Sequence, residues 1–236
     1  KITFFVTGIV TKKMPDLINQ IHSDGHEISC HYNFHDDISK TNREDFAYNL
    51  DIAIETIHKV TGEKPLGFRA PNFAINPENI WAYEELSKRF LYDSSYRTSQ
   101  NISELNSQKN FVYNNNNLKE FFIYGMPTIK DLFNIRSGGT YLRLFPSSLI
   151  ISSMKQGYEK GHIPLLYLHP YELTLNHDFW IAWKDLNFLP LLKKIYIYCR
   201  QTQWSHLGHK KLEKKIEDIC NLFEHQGPMK YLVINK

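Results

Sequence analysis

Gly25-His26-Glu27-Ile28-Ser29-Cys30-His31-Tyr32-Asn33-Phe34-His35 is the stretch that decides the fold. Residues 27–30 read as a short strand that runs into two histidines four residues apart. Histidines at i and i+4 share one face of a helical turn, so both imidazoles can reach one metal ion. Neutral imidazole suits zinc and the other first-row divalent metals. The alternative is a surface pair, since 11 histidines are scattered along the chain. Position tells for a site, because parallel α/β folds collect their active sites at the C-terminal ends of strands.

Around this stretch, strand and helix patterns alternate. Residues 2–6 are apolar and β-prone. Residues 12–23 place Leu17, Ile18 and Ile21 at helical spacing, with Pro15 near the start and Gly25 past the end. Residues 42–60 carry Phe46, Leu50, Ile54 and Ile57 on one stripe and stop at Gly62. A strand is expected over 66–69, a helix from Asn76-Pro77 to 88, and a strand over 90–92. Strands separated by such helices imply right-handed βαβ units and a parallel sheet or barrel. The rhythm lapses over 94–137, where the asparagine run 114–117 reads as a surface loop. A helix over 147–160, a strand over 163–168, a helix over 205–225 and a closing strand over 231–234 restore it. The expected organisation is one domain across 1–236, with an irregular insertion at 94–137 and a C-terminal helical extension at 184–236. Residues 1–6 open already within a strand, so further chain is expected before Lys1.

Composition narrows the function. Hydrophobic residues make up 42% of 236, enough for a sizeable core, and no apolar run has the length of a transmembrane helix. The net charge of +3 and the dispersed Lys and Arg exclude a nucleic-acid stripe. Lys210-Lys211-Leu212-Glu213-Lys214-Lys215 interleaves acid with base and reads as a solvated helix face. Cys30, Cys199 and Cys220 are odd in number and far apart, which argues against a disulfide framework. They favour a reducing, cytoplasmic compartment over the cell envelope. Cys30 adjoins His31 on a strand, so its side chain takes the opposite face and reads as core.

Three further polar clusters fall at expected strand ends. Gly67-Phe68-Arg69-Ala70-Pro71 puts an arginine where a strand leaves the sheet, although an ordinary surface arginine fits as well. Tyr92-Asp93-Ser94-Ser95 puts a carboxylate at another end, where a turn or cap is the plainer reading. Leu165-Leu166-Tyr167-Leu168-His169 ends an apolar run in a histidine suited to general acid chemistry. The aromatics Trp81, Trp180, Trp183 and Tyr141 are candidates for sugar stacking or for the core, with Trp180 and Trp183 the best pair for a groove wall.

In this order the clusters resemble the polysaccharide deacetylase family (carbohydrate esterase family 4, the NodB-homology fold). Thr3-Phe4-Phe5-Val6-Thr7-Gly8 is similar to the family's strand of that pattern, and Gly25-His26-Glu27-Ile28 through His31 and His35 to its metal motif. Arg69-Ala70-Pro71 is similar to the Arg-x-Pro motif, and Leu168-His169-Pro170 to the final histidine motif. Phe68 to Ile75, Tyr92-Asp93-Ser94-Ser95, Gly138-Gly139-Thr140-Tyr141-Leu142-Arg143 and His169-Pro170-Tyr171-Glu172 together resemble the subgroup linked to exopolysaccharide biosynthesis.

The resemblance implies an α/β fold, a distorted (β/α) barrel that here lacks its first strand. It implies a hydrolase that removes N-acetyl or O-acetyl groups from a polysaccharide with a divalent metal, zinc by default and iron, cobalt or nickel as alternatives. His31 and His35 would be metal ligands. Arg69 would orient the catalytic base, and His169 would protonate the leaving amine. Leu168 would line the acetyl pocket beside Pro71, the Asn72 N–H would stabilise the oxyanion, and Trp180 would contact substrate. The family's third ligand and base are adjacent aspartates in a Thr-Phe-Asp-Asp-Gly segment, which these 236 residues do not contain. Asp36 and Asp37 lie on the wrong element to replace them. Tyr32 also stands where the family often has Ser or Thr. Two readings follow: a deacetylase whose aspartate strand lies outside this sequence, or an inactive deacetylase-like domain that binds glycans.

Overall fold

Short β-prone runs set the frame. In the computed structural model, β1 (Thr3–Val6), β2 (Glu27–Cys30), β3 (Gly67–Phe68) and β4 (Tyr92–Asp93) are strands, with β5 (Arg97–Thr98) and β6 (Lys119–Glu120) following. The structure describes residues 1–75, 77–101, 103, 118–128, 133–174 and 180–234. They group into two compact units, 1–123 with 160–163 and 225–236, and 124–159 with 164–224.

In the first unit, β1-β2-β3-β4-β6 form a five-stranded sheet, every pair parallel. The order never reverses, which is the winding of barrel folds and not of doubly wound sheets. Among the described residues the sheet stays open, with β1 and β6 at its edges. Register puts Val6, Cys30, Phe68, Asp93 and Glu120 on one line across it. Gly67 is required here, because any side chain would overlap the Tyr92 ring.

The expected α/β alternation holds. α1 (Gly8–Lys13) and α2 (Pro15–Ser23) replace the single helix read over 12–23, because Pro15 supplies no N–H to continue the first one. α3 (Arg43–Thr61) lies where its stripe puts it: the Asn42 side chain caps the Asp45 N–H, and Gly62 ends it with φ 76°. It buries Phe46, Leu50, Ala53 and Ile57 against β-sheet residues Ile28, Cys30 and Phe68. The helix expected up to 88 is a 3-10 turn at Pro77–Asn79 followed by α4 (Ala82–Ser87), and its Asn76 cap lies outside the described residues. Glu85 on α4 accepts from Arg43, Lys88 and Arg89. Burial pushes this carboxyl up, but the three cations outweigh it and hold it at about 2. A short C-terminal helix, Tyr231–Ile234, also belongs to this unit.

The second unit joins an antiparallel pair, β7 (Ile123–Pro127) and β8 (Asn134–Arg136), to α5 (Gly139–Leu144), α6 (Ser147–Glu159), α7 (Pro170–Leu173), α8 (Leu191–His206) and α9 (Leu212–Cys220). Its core is Ile135, Leu142, Ile150, Met154, Leu212 and Ile219. Lys215 sends its ammonium to the carbonyls of Leu142, Arg143 and Phe145 at the end of α5, where the helix dipole favours a cation.

Four expectations need correcting. The apolar run 163–168 is no strand; only Tyr167 bridges, parallel to Gly138. The helix expected over 205–225 is interrupted at Gly208, whose φ of 84° ends α8, and resumes as a 3-10 turn and α9. The closing strand at 231–234 is α10 (Tyr231–Ile234). The stretch 94–137 carries β5 to β8 among its described residues, and the asparagine run 114–117 lies outside them. Helices and 3-10 turns make up most of residues 184–234.

Phe46 is fully buried, stacked on Tyr32 at 5.4 Å and edge-on to Trp81 at 5.5 Å. Phe46→Ala should cost about 3–5 kcal/mol, read as a lower urea midpoint with unchanged slope.

Candidate functional site

Parallel register continues one residue past the strands. The N–H groups of His31, Arg69, Ser94 and Phe121 donate to the carbonyls of Val6, Cys30, Phe68 and Asp93 at 2.8–3.0 Å. Side chains one step beyond a shared register line leave a parallel sheet on the same face. His31, Arg69 and Ser94 are therefore neighbours by construction, and Cys30, Phe68 and Asp93 take the other face and are fully buried. Burial pushes the Cys30 thiol up to about 12, so it is a core thiol, as read, and not a ligand.

The premise that His31 and His35 share a helical turn fails. Residues 31–37 are irregular, with a bend at 33–35, and Tyr32 has φ 67°, a conformation costly for a bulky residue. Packing holds it there. The Tyr32 ring is buried on Phe46, and the Gly8 and Ile9 N–H groups at the start of α1 take the carbonyls of Tyr32 and Asn33. A side chain at Gly8 would run into Asn33. The turn still brings the imidazoles together, with ring centroids 5.2 Å apart.

His31 Nδ1 lies 2.6 Å from the Arg69 carbonyl oxygen, which can only accept, so the proton sits on Nδ1 and Nε2 carries the lone pair. This is how metal-ligating histidines are commonly held, the second nitrogen donating to a carbonyl or carboxylate. The pair thus fits a first-row metal as two imidazole donors. Among the described residues no third His, Cys, Asp or Glu joins them.

The Arg69 guanidinium donates to the Ser94 carbonyl at 3.1 Å and its hydroxyl at 2.8 Å, and lies over the Phe5 ring at 4.3 Å. Pro71 is buried in a 3-10 turn, while Asn72 is exposed with φ 56°. The Ala70 N–H, just before this turn, donates to Ser95 Oγ at 2.7 Å.

Ser95 leads to a pair that sequence reading missed. Asp93 and Glu120 face each other across β4 and β6, both buried. The Ser95 hydroxyl donates to Asp93, and its N–H lies within reach of both carboxyls. Glu120 Oε1 accepts from the N–H groups of Ser95 and Tyr96. Burial, then the charge of Asp93, raises the Glu120 carboxyl well above its ordinary range, so Glu120 carries the proton of an O–H···O bond to Asp93. Nothing local in Leu118-Lys119-Glu120 announces this; the signal exists only once β4 and β6 are paired.

The remaining candidates belong to the second unit. His169 is half-exposed and ring-stacked on Tyr171, and its backbone N–H and Nδ1 both meet buried Glu172. Gly138 allows the approach of Tyr167 just upstream, since any side chain there would overlap it. Leu168 packs on that unit's core. Trp180 and Trp183 each meet the Tyr198 ring edge-on, at 5.2 and 5.3 Å, and Lys194 lies over Trp183. Trp81 and Tyr141 pack against the two cores.

A carboxyl raised by folding binds more protons in the native state, so its stabilising contribution is full below its unfolded pKa and lost as pH rises. For Glu120 the loss begins near the ordinary value of 4.5. Denaturant unfolding of the wild type between about pH 5 and 9 should therefore show falling stability. Glu120→Gln keeps the donor to Asp93, loses the titration, and should flatten that slope.

Residues 1–91 match the family model Polysaccharide deacetylase, and residues 94–224 match Domain of unknown function (DUF3473). A Peptidoglycan deacetylase-like protein FGM2 of Gibberella zeae is 34% identical over 95 residues, covering 40% of this chain and 28% of that protein. The Peptidoglycan-N-acetylmuramic acid deacetylase PdaA of Bacillus subtilis is 28% identical over 112 residues, covering 47% and 41%. The chain thus spans less than half the length of these relatives. A crystal structure from Mycobacterium smegmatis, assigned to the polysaccharide deacetylases, shares the fold: TM-score 0.58 and 20% identity over 99% of this chain and 70% of that one. Residues 1–91 are accordingly a polysaccharide deacetylase domain of the NodB type, and the chain, matched over more than half its length by the second model, belongs to the DUF3473 family.

Proposed function

We propose that this chain is a domain of a metal-dependent deacetylase that hydrolyses N-acetyl or O-acetyl groups on a polysaccharide. The observation that carries this reading is the His31–Arg69 bond, with His35 beside it, at the C-terminal edge of a parallel sheet in a deacetylase-type domain.

His31 and His35 would hold the metal, zinc by default. A bound metal of this kind polarises the acetyl carbonyl and acidifies the attacking water. The Arg69 carbonyl keeps His31 in the ligating tautomer, and the Arg69 guanidinium supplies a fixed positive charge at the same edge. The Asn72 N–H, on its left-handed turn beside Pro71, is the donor for the developing oxyanion, worth several kcal/mol in comparable sites. His169 gives its proton to the amine nitrogen as the C–N bond breaks, so that acetate and a free amine leave. Leu168 and Trp180 would contact the acetyl and sugar groups. The reaction also needs a base to take the proton of water, and the family's aspartate pair is absent from these 236 residues. The second reading is a deacetylase-like domain that binds glycans without turnover. Three free cysteines support a reducing compartment.

Acetate release from acetylated chitin, peptidoglycan and exopolysaccharide oligomers, assayed on the full-length gene product, tests the proposal. Activity should vanish with chelator and return with zinc. His169→Ala should lower kcat by about 100- to 10,000-fold, and His31→Ala should abolish the response to metal. Tight glycan binding with no acetate released under any metal would establish the binding reading instead.

A further inference from the structure

Every polar atom around His169 leads inward to one buried ion pair. Glu172 and Arg143 are both completely buried, and Glu172 Oε1 accepts from Arg143 Nε at 3.1 Å. The other carboxylate oxygen accepts twice from His169, the backbone N–H at 2.9 Å and Nδ1 at 3.3 Å. Arg143 is anchored in turn. Its Nη1 donates to the carbonyls of Gln203, Trp204 and Leu207 at 2.7–3.1 Å, at the C-terminal end of α8, where the dipole favours a cation. Gly208 permits this approach, since an added Cβ would lie 2.5 Å from the Arg143 carbonyl oxygen.

A buried ion pair with no task is seldom worth its desolvation. Here two elements, α5 and the end of α8, converge to fix one carboxylate under one imidazole. Glu172 lies three residues after His169, and its carboxylate accepts from the His169 backbone N–H as well, so the ring's partner is tied to the ring's own backbone. A carboxylate at Nδ1 requires the proton there, which turns Nε2 outward as the atom that exchanges protons.

The geometry points to Glu172 as a positioning residue for His169, with Arg143 as the anchor that holds it. Together they fix the tautomer and direction of the imidazole. This rests on the reading of His169 as the proton donor, but the orientation itself does not. In support, hydrogen bonds from His169 and the Arg143 charge outweigh burial and keep the Glu172 carboxyl below its ordinary range, hence ionised.

The test uses the full chain labelled with 15N. Long-range proton–nitrogen correlation, assigned by loss of one signal in His169→Gln, reads the neutral tautomer. The wild type should show Nδ1–H, opposite to the Nε2–H form that free histidine prefers. Glu172→Gln, isosteric and neutral, should shift the population towards Nε2–H with its circular dichroism unchanged. In the acetate-release assay the same variant should lose about 100-fold or more in kcat with KM within about twofold. An Nε2–H signal in the wild type overturns the inference without reference to any variant, as does a tautomer indifferent to Glu172→Gln. A shifted tautomer in a protein that releases no acetate would sustain the positioning and overturn the deacetylase reading.

Discussion

The site depends on one constraint, the in-register line Val6–Cys30–Phe68–Asp93–Glu120 across the parallel sheet. A strand has a period of two, so a slip by one residue exchanges its faces. In β3 such a slip would turn Arg69 into the core and Phe68 out of it. Phe68 is fully buried against Phe46 and Phe90, at 6.2 and 5.6 Å, and Cys30 beside it is equally buried. The core therefore fixes the register, and the register delivers His31, Arg69 and Ser94 to one edge. Apolar burial and site geometry are here the same interaction viewed from two faces of the sheet.

Buried charges are each compensated in a different way. Glu27 accepts from the hydroxyls of Thr3, Ser29 and Tyr92 and from the Lys230 N–H. Asp93 and Glu120 share a proton. In the second unit Arg143 and Lys215 lie on helix C-terminal carbonyls, and only Glu172 meets a full opposite charge. Since an uncompensated buried charge costs several kcal/mol, these side chains resist truncation, and isosteric neutral replacements probe them better than alanine.

How much of this was legible follows from which signals are local. α3 could be read because its cap, stripe and stop all lie within its own sequence, from Asn42 to Gly62. β2 could be read for a similar reason, an apolar run bounded by Gly25 and polar residues. The His31–His35 turn could not, because Tyr32 adopts a left-handed conformation only under the packing of Phe46 and the first amides of α1. Spacing suggested a helix, and tertiary contacts made a bend with the same outcome for the rings. The run 163–168 misled in the opposite sense, since apolar β-prone residues become a strand only with a partner, and Gly138 offers a single bridge. Glu120 was invisible, its meaning residing wholly in its partner Asp93 on a strand far earlier in the sequence. Glu172 was visible as part of His-Pro-Tyr-Glu, and the capping-box spacing was the signal that assigns it a role.

Two imidazoles in this chain are held by different acceptors, and the difference divides their chemistry. His31 donates to a backbone carbonyl, a neutral dipole that fixes the tautomer and supplies no charge. A ligand needs that much, because the metal takes the lone pair and the ring stays neutral. His169 donates to an ionised carboxylate, which fixes the same tautomer and also balances a second proton on the ring. A group that must carry a proton up to the moment of bond cleavage needs the charge as well as the geometry. A carbonyl under His169 would fix the tautomer but leave the imidazolium unbalanced. What lies behind each ring thus supports the proposed division, with His31 as ligand and His169 as acid.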